Sequence, residues 1–130
     1  MFAIDRHDTE TPVNVLFYNM GGIDTEVTIV RYTGQTDEKN KTFEHVEILS
    51  EAYDAQLGGE DFDGVIVDMM VEAFNAMPER KNKADVRTNE RAMKRLFKES
   101  VKVKDILSAN KIVDVKVPEL VDYVTLRTML

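Results

Sequence analysis

The chain has 130 residues, 43% of them hydrophobic, which is enough for a compact domain with an apolar core. Its 17 basic and 24 acidic residues give a net charge of -7. This charge argues against a general binder of nucleic acids or anionic membranes, because both need basic surfaces. Cysteine is absent, so disulfides and thiolate metal sites are excluded. No apolar run approaches bilayer-spanning length, and the first residues lack a signal-peptide profile.

The N-terminal part of the chain predicts a lead-in followed by a sheet. Residues 1–12 end in Thr-Pro and are expected to form a flexible lead-in. Apolar and alternating runs predict three strands, at 13–18, 25–32 and 43–53, the first with the continuous apolar character of a buried strand. A short glycine-containing turn joins the first two strands into a hairpin, and 33–41 is expected to be a solvated loop.

After residue 59 the apolar period changes from two to about 3.6, which predicts an amphipathic helix that ends at Pro78. Its predicted core face consists of Phe62, Val65, Ile66, Met69, Ala73 and Met77. A second helix is predicted at 88–108. Its apolar stripe consists of Ala92, Leu96, Val103 and Leu107, flanked by Met93 and Phe97. Residues 112–117 and 123–126 then predict two strands that pair across Pro118-Glu119.

This element order indicates an α+β fold, with a three-stranded sheet, two amphipathic helices and then a β-hairpin. Residues 13–57 would form the sheet part, and 58–130 the helical and hairpin part. No internal repeat is visible.

Two pairs of adjacent glycines follow strand-like runs, Gly21-Gly22 after the first strand and Gly58-Gly59 after the third. The second pair also opens the first predicted helix. Backbone amides at a helix start, with no Cβ in the way, suit a phosphate group. The two corners are therefore candidates for one nucleotide site, although adjacent glycines are first of all a turn signal.

Other polar residues have simpler structural explanations. Asp61 and Asp63 lie in the first helical turn, where the helix dipole favours acids, and they lack the geometry of a paired-carboxylate site. His7 and His45 have no metal-ligand spacing around them, and the basic residues of the second helix are typical of a solvated face. The sequon that begins at Asn40 matters only in the secretory pathway. No catalytic or metal-binding residue is therefore assigned.

Three stretches resemble one family. LGGEDFD at 57–63 reproduces the signature of the heat-shock protein 70 (DnaK-type) chaperones. NMGGIDTEVT at 19–28 resembles their second phosphate loop, DLGGGTFDVS, and NERAMKRL at 89–96 matches their NKRAxRRL helix. Within this superfamily, DVR at 85–87 and LSAN at 107–110 are similar to the large endoplasmic-reticulum branch, the hypoxia-upregulated, glucose-regulated type.

The resemblance implies part of a larger domain. The family's nucleotide-binding domain has an actin-like, ribonuclease H-like fold of two lobes, and 13–130 are expected to form part of the second lobe. The first phosphate loop, the third glycine-rich loop and the substrate-binding domain do not occur in the sequence. The piece alone is therefore expected to be inactive, and to self-associate through exposed apolar surface.

The resemblance also implies the site residues. Gly21 and Gly22 would meet the β- and γ-phosphates of ATP or ADP, held with Mg in the complete domain, and Gly59 would lie nearby. Lys104 and Ser108 match the helix positions that hold the adenosine.

Several positions depart from the family pattern. Asn19 replaces the aspartate that begins the phosphate loop, and Ile23 and Asp24 replace a glycine and a threonine. A carboxylate at position 24 would repel a phosphate rather than donate a hydrogen bond to it. Val101 and Asp105 replace a glutamate and an arginine at the adenosine positions. These departures indicate weak or absent hydrolysis with binding retained.

The function that the resemblance implies is that of an endoplasmic-reticulum lumenal, Hsp70-like chaperone. It would bind ATP, hold unfolded client proteins and act as a nucleotide exchange factor for the standard Hsp70 chaperone of that compartment. An alternative is a degenerate interaction module that contacts a partner ATPase without holding nucleotide. A third interpretation, an ordinary active chaperone ATPase, is disfavoured by Asn19 and Asp24. No nucleic-acid or membrane partner is expected.

Overall fold

The computed structural model describes residues 11–39 and 42–130. Residues 1–10 of the lead-in predicted at 1–12, with His7, and the Asn40-Lys41 part of the sequon lie outside the described residues. The chain divides into two compact units, Met1–Gly59 and Glu60–Leu130. The predicted α+β fold is confirmed, because a three-stranded sheet, two helices and a two-stranded hairpin follow one another in the predicted order.

The first unit contains an antiparallel sheet in the order β1-β2-β3. β1 spans Val13–Met20, β2 spans Thr25–Thr36 and β3 spans Thr42–Asp54. β2 is longer than predicted, because its pairing with β3 continues as far as Thr36 opposite Thr42. Residues 33–36 therefore belong to the strand, and their assignment to a loop was wrong. Pairing with a neighbouring strand outweighs the polar composition of this stretch.

The sheet leaves most of its large apolar side chains exposed. Val30 and Thr25 are buried, whereas Leu16 and Tyr18 are each 59% exposed. The expectation of a buried strand at 13–18 is therefore wrong for the described chain. Successive residues of a strand point to opposite faces, so the continuous apolar run of β1 supplies apolar side chains to both faces. Such a strand becomes buried only where other elements cover both faces of its sheet.

The second unit consists of two helices and a hairpin. α1 spans Gly59–Asn75 and α2 spans Glu90–Ala109, with short 3₁₀ turns at Pro78–Arg80 and Val86–Thr88 between them. β4, Asp114–Val121, pairs antiparallel with β5, Val124–Met129. α2 begins at Asn89, whose side chain accepts a hydrogen bond from the Ala92 amide at 3.0 Å. α1 begins at Gly59 with Glu60 and Asp61 in its first turn, as the sequence predicted.

Side chains from α1, α2, β4 and β5 form the core of the second unit. Its buried members are Ile66, Val67, Met70, Val71, Phe74, Val86, Ala92, Leu96, Val103, Val113, Val115, Val117, Leu120 and Leu126. The predicted stripe of α2 is confirmed, because Ala92, Leu96 and Val103 are buried and Leu107 packs against the same core. Phe97, which was expected to flank the stripe, is 49% exposed.

The predicted core face of α1 is wrong in part. Ile66 is buried, but Phe62, Val65 and Met69 are 51%, 60% and 45% exposed. Apolar residues occur around most of this helix, so more than one face fits the helical period. Packing against α2 and the hairpin selects the face that carries Met70, Val71 and Phe74.

The hairpin turns later than predicted. Pro118 and Glu119 lie inside β4, at a register shift between Val117 and Val121, and the turn itself is formed by Asp122 and Tyr123. Glu119, Asp122 and Tyr123 have positive φ angles of 46°, 51° and 60°. The Arg95 guanidinium on α2 donates to the carbonyls of Pro118 and Glu119 at 2.6 and 2.8 Å. It thereby provides donors for carbonyls at the irregular part of the strand.

Arg80 is a buried charge in the second unit, with 4% of its side chain exposed. Its guanidinium donates to the Ala84 carbonyl and, at 3.1 Å, to the Asp122 carboxylate. It also lies over the Phe74 ring, 5.0 Å from the ring centroid. Arg80 therefore ties the turn after α1 to the tip of the hairpin. Its Nε has no hydrogen-bond partner among the described residues, which leaves part of its desolvation uncompensated.

Asp85 organises the 3₁₀ turn before α2. Its Oδ1 accepts hydrogen bonds from the Arg87 amide at 2.8 Å and from the Asn75 side chain at 2.9 Å. Asn75 in turn accepts a hydrogen bond from the Val86 amide at 3.1 Å. The bond from the Arg87 amide, followed by the bond from Asn75, lowers the pKa of Asp85 below its ordinary value. The DVR stretch at 85–87 therefore has a structural role in the connection between the helices.

We expect Arg80→Met to destabilise the second unit by about 2 kcal/mol, because the Ala84 carbonyl and Asp122 lose a charged donor that is already desolvated. Arg87→Met provides the matched control. The Arg87 side chain is 44% exposed and its guanidinium pairs with Asp68 at 2.8 Å, so its removal should cost clearly less. Urea denaturation followed by circular dichroism measures both free energies of unfolding. Equal losses for the two variants would contradict the role assigned to Arg80.

Candidate functional site

The two glycine pairs lie against each other in the first unit. The amide of Gly59 donates to the carbonyl of Gly21 at 2.9 Å. The Thr25 hydroxyl, at the start of β2, donates to the Leu57 carbonyl at 2.6 Å. These bonds join the turn after β1 to the segment after β3 at one end of the sheet. We call this region, residues 21–24 and 57–59, the glycine corner; it brings together Gly21, Gly22 and Gly59.

Gly58 is needed at the glycine corner for close packing. A Cβ at this position would lie 2.5 Å from the Gly22 carbonyl oxygen and 2.5 Å from backbone atoms of Ile23. No glycine in the described ranges has a positive φ, so backbone conformation does not explain its presence. Gly22 differs, because a Cβ there would meet nothing within 4 Å.

Hydrogen bonds within the protein occupy the amides of Gly21 and Gly59 at the glycine corner. Gly59 donates to Gly21, and the Gly21 amide donates to the Asp24 carbonyl at 2.8 Å. The Gly22 amide forms no hydrogen bond within 11–39 and 42–130, and Gly22 is exposed. Among the three glycines predicted to lie near phosphates, Gly22 therefore offers an available donor.

Asp24 places a carboxylate at the glycine corner. A Cβ at Gly21 would lie 2.9 Å from Asp24 Oδ1, and the Tyr53 hydroxyl donates to Asp24 Oδ2 at 3.3 Å. Desolvation, followed by the charge and the hydrogen bond of Asp24, raises the pKa of Tyr53 above its ordinary value. Glu26 and Asp54 contribute further negative charge to this shift. A phosphate that approaches the glycine corner would therefore meet like charge.

Lys104 and Ser108 lie one turn apart on α2 in the second unit, so their side chains share a helix face. Lys104 Nζ donates to Asp63 Oδ2 at 2.7 Å, and Ser108 Oγ donates to the Asp105 carbonyl at 2.6 Å. The Lys104 side chain is 32% exposed, and Ser108 is exposed. Both polar groups are thus accessible and also bonded within the protein.

The pairing of Asp63 with Lys104 is a feature that the sequence did not reveal. Asp63 was expected to be a charge in the first turn of a helix, but its side chain is only 10% exposed. Its Oδ1 is buried without a hydrogen-bond partner among the described residues. A cavity of about 280 Å³ beside it is lined by Glu60, Asp63, Phe97 and Val101. The two partners are 41 residues apart, so no local pattern links them.

Charged residues on the surface of α2 pair with neighbours on the same helix. In the part of the chain that the structure describes, no group of three or more His, Cys, Asp or Glu side chains could hold a metal ion. Basic residues of α2 pair along the helix surface, Lys94 with Glu90 at 2.6 Å and Lys102 with Glu99 at 2.8 Å. None of the described helices combines the length and the hydropathy that a membrane-spanning segment requires.

We expect Gly58→Ala to destabilise the first unit by about 2 kcal/mol or more, because a Cβ at 2.5 Å from backbone atoms forces the glycine corner apart. Gly22→Ala is the matched control and should remain within about 1 kcal/mol of the wild type, since its Cβ would enter open space. Thermal unfolding and amide exchange at Gly21 and Gly59 report the effect. A Gly58→Ala variant as stable as Gly22→Ala would contradict the observed packing.

We expect Lys104→Met to cost about 2 kcal/mol of stability, because it leaves the Asp63 carboxylate desolvated and without its cation. Lys102→Met, on the same helix, removes a side chain that is 59% exposed and should have a much smaller effect. The double variant Asp63→Asn/Lys104→Met should recover part of the loss. Chemical denaturation of the wild type, Asp63→Asn, Lys104→Met and the double variant measures the coupling, and a coupling of zero would contradict the ion pair.

Most of the chain matches known proteins. A family model described as Hsp70 protein matches residues 2–123. Hypoxia up-regulated protein 1 of Xenopus laevis is 41% identical over 100 residues, which are 77% of this chain and 15% of that protein. The protein of the same name from Danio rerio is 37% identical over 100 residues, 77% of this chain and 10% of the relative. That of Homo sapiens is 32% identical over 106 residues, 81% of this chain and 11% of the relative.

The chain thus spans between 10% and 15% of the length of these relatives. The resemblance stated from the motifs is confirmed both for the family and for the hypoxia-upregulated branch. The motifs at 57–63 and 89–96, which carried the resemblance, lie inside the matched range. The chain belongs to the Hsp70 family.

Proposed function

We propose that the chain supplies part of the second lobe of the nucleotide-binding domain of an Hsp70-family chaperone, and that it takes part in binding ATP or ADP. In this proposal the chaperone acts in the lumen of the endoplasmic reticulum. It holds unfolded client proteins and promotes nucleotide exchange on the standard Hsp70 chaperone there. Family membership and the similarity to hypoxia up-regulated proteins support the proposal. The observation that carries its nucleotide part is the glycine corner, where the exposed Gly22 amide has no acceptor among the described residues.

The proposed phosphate contacts lie at the glycine corner. The Gly22 amide would donate to a phosphate oxygen, while Gly21 and Gly59 hold the backbone around it through their mutual hydrogen bond. In this role Gly21 and Gly59 shape the site rather than supply donors. Mg²⁺, held in the complete domain, would reduce the charge of the phosphates, which matters because Asp24 lies beside Gly21.

The proposed adenosine contacts are those of Lys104 and Ser108. An ammonium has three donors, so Lys104 can keep its bond to Asp63 and donate to a ribose hydroxyl as well. A serine hydroxyl that donates to a carbonyl still has acceptor capacity, so Ser108 can accept a hydrogen bond from the ligand. Neither contact requires the observed intramolecular bonds to break.

A second candidate function is a degenerate interaction module that contacts a partner ATPase and holds no nucleotide. The observation that favours it is the charge at the glycine corner. The Asp24 carboxylate lies beside Gly21 and accepts the Tyr53 hydroxyl, and the amides of Gly21 and Gly59 are already bonded to carbonyls. A corner of this kind binds an anion poorly.

Titration of the chain with MgATP at millimolar concentrations, followed by amide NMR, separates the two functions. If the chain takes part in nucleotide binding, the signals of Gly22, Lys104 and Ser108 shift in a saturable manner. Asp24→Asn should then bind about fivefold more tightly, because removal of a unit charge a few ångströms from a phosphate is worth about 1 kcal/mol in water. Phosphate release by the wild type should remain at background.

Asp37→Asn is the matched control for the change in net charge. Asp37 follows the last residue of β2, so the whole strand separates it from the glycine corner. An equal gain for Asp37→Asn and Asp24→Asn would mean that only the total charge matters. No shift with the wild type or with Asp24→Asn, together with no heat of MgATP binding when the full-length protein is titrated by calorimetry, would favour the interaction module. Measurable ATP turnover by the chain alone would contradict both.

A further inference from the structure

Asp63 and Lys104 join the two helices of the second unit through an ion pair whose partners differ in burial. Asp63 Oδ2 accepts a hydrogen bond from Lys104 Nζ at 2.7 Å. The Asp63 side chain is 10% exposed, whereas that of Lys104 is 32% exposed. The carboxylate is therefore the enclosed partner, and the ammonium is the partner nearer to solvent.

The core of the second unit fixes the position of Asp63. Three buried residues follow it at helical spacing along α1, namely Val67, Met70 and Phe74. This spacing places Asp63 on the face of the helix that packs into the core. An aspartate has only two side-chain torsions, so a carboxylate on such an anchored backbone has a well-defined position.

Lys104 differs from Asp63 because a lysine side chain is long and has many rotamers. A ligand that must order such a side chain binds about two- to tenfold more weakly than one that meets it already ordered. The bond to Asp63 orders the Lys104 ammonium before any ligand arrives. A ligand that contacts Lys104 should therefore bind more tightly than it would to an unrestrained lysine.

Stability alone is a poor explanation for this ion pair. Asp63 Oδ1 is buried and has no hydrogen-bond partner among the described residues, so its desolvation is only partly compensated. Apolar side chains of similar volume are often at least as stable as a buried ion pair, whereas a defined geometry is a better attested use of such a pair. The arrangement therefore suits a residue that orients its partner.

We propose that Asp63 is a positioning residue, which holds the Lys104 ammonium in the orientation that donates to a ribose hydroxyl of the nucleotide. This inference rests on the proposed function. Asp63 does not touch the ligand and acts only by restricting Lys104. Loss of its charge should therefore weaken the binding of nucleotides that carry the acceptor hydroxyl, relative to nucleotides that lack it.

Calorimetric titration of the full-length protein with MgATP and with the Mg complexes of 2′-deoxy-ATP and 3′-deoxy-ATP tests this role. One of the deoxy nucleotides should bind the wild type about tenfold more weakly than ATP, because it lacks the acceptor for a charged donor. Asp63→Asn should lower this discrimination ratio by about fivefold, the effect of ordering one long side chain. The ratio is informative because loss of one negative charge strengthens the binding of all three nucleotides alike.

Glu99→Gln is the matched control for the loss of a carboxylate. Glu99 pairs with Lys102 at 2.8 Å on α2, so this variant releases a different lysine of the same helix. It should keep the wild-type discrimination ratio. Lys104→Met provides a second background, in which the discrimination is already lost. Adding Asp63→Asn to it should change the ratio no further, whereas a general effect of Asp63 on folding would act in both backgrounds.

NMR relaxation of lysine Cε groups in the chain measures the same ordering without a nucleotide. The order parameter of Lys104 should fall in Asp63→Asn to that of an exposed lysine such as Lys98, and it should be unchanged in Glu99→Gln. Urea denaturation checks that both variants are folded under the conditions of the measurement.

The possible outcomes separate this inference from the proposed function. Binding of MgATP with an unchanged discrimination ratio in Asp63→Asn would overturn the inference and leave the proposed function intact. So would equal changes of the ratio in Asp63→Asn and Glu99→Gln, or an unchanged order parameter of Lys104 in Asp63→Asn. A wild type that binds all three nucleotides equally would contradict the ribose contact and the inference with it. Absence of MgATP binding by the full-length wild type would instead overturn the proposed nucleotide function itself.

Discussion

The approach of Gly58 to the backbone of Gly22 and Ile23 is the constraint on which the first unit depends. The chain that leaves β3 passes so close to the turn between β1 and β2 that no side chain fits at position 58. Two hydrogen bonds, from Gly59 to Gly21 and from Thr25 to Leu57, hold the two segments together. As a result, residues 57–59 have a defined position at this end of the sheet.

The same contact limits the chemistry of the glycine corner. A glycine-rich helix start is a good anion site when its amides are unoccupied. Here the Gly59 amide is bonded to a carbonyl of the neighbouring turn, and the Gly21 amide is bonded to the carbonyl of Asp24. The Asp24 side chain, held by Tyr53, adds negative charge at the same place. Gly58 therefore serves close packing, the amides of Gly21 and Gly59 bond to neighbouring carbonyls, and the amide of Gly22 has no acceptor among the described residues.

In the second unit, buried charged side chains pair with oppositely charged side chains on other elements of the unit. Arg80 joins the turn after α1 to the hairpin, and Asp63 on α1 pairs with Lys104 on α2. Each arrangement leaves one polar atom without a partner among the described residues, Nε of Arg80 and Oδ1 of Asp63. Buried polar atoms of this kind cost stability, which is provided here by the apolar core that surrounds them. Lys104, the expected adenosine contact, is thus also a structural residue.

The sequence by itself determined the order of the elements, the start of α1 at Gly59, the buried stripe of α2 and the glycines of both turns. These features follow from local rules, because periodicity, capping and turn chemistry act over a few residues. Only the tertiary structure decided that Met70 and Phe74, rather than Phe62 and Met69, face the core, since the pattern of α1 fits several faces. It also decided that the hairpin turns at Asp122 and that Lys104 meets Asp63. Such contacts join residues far apart in the chain, and packing of the whole unit selects them.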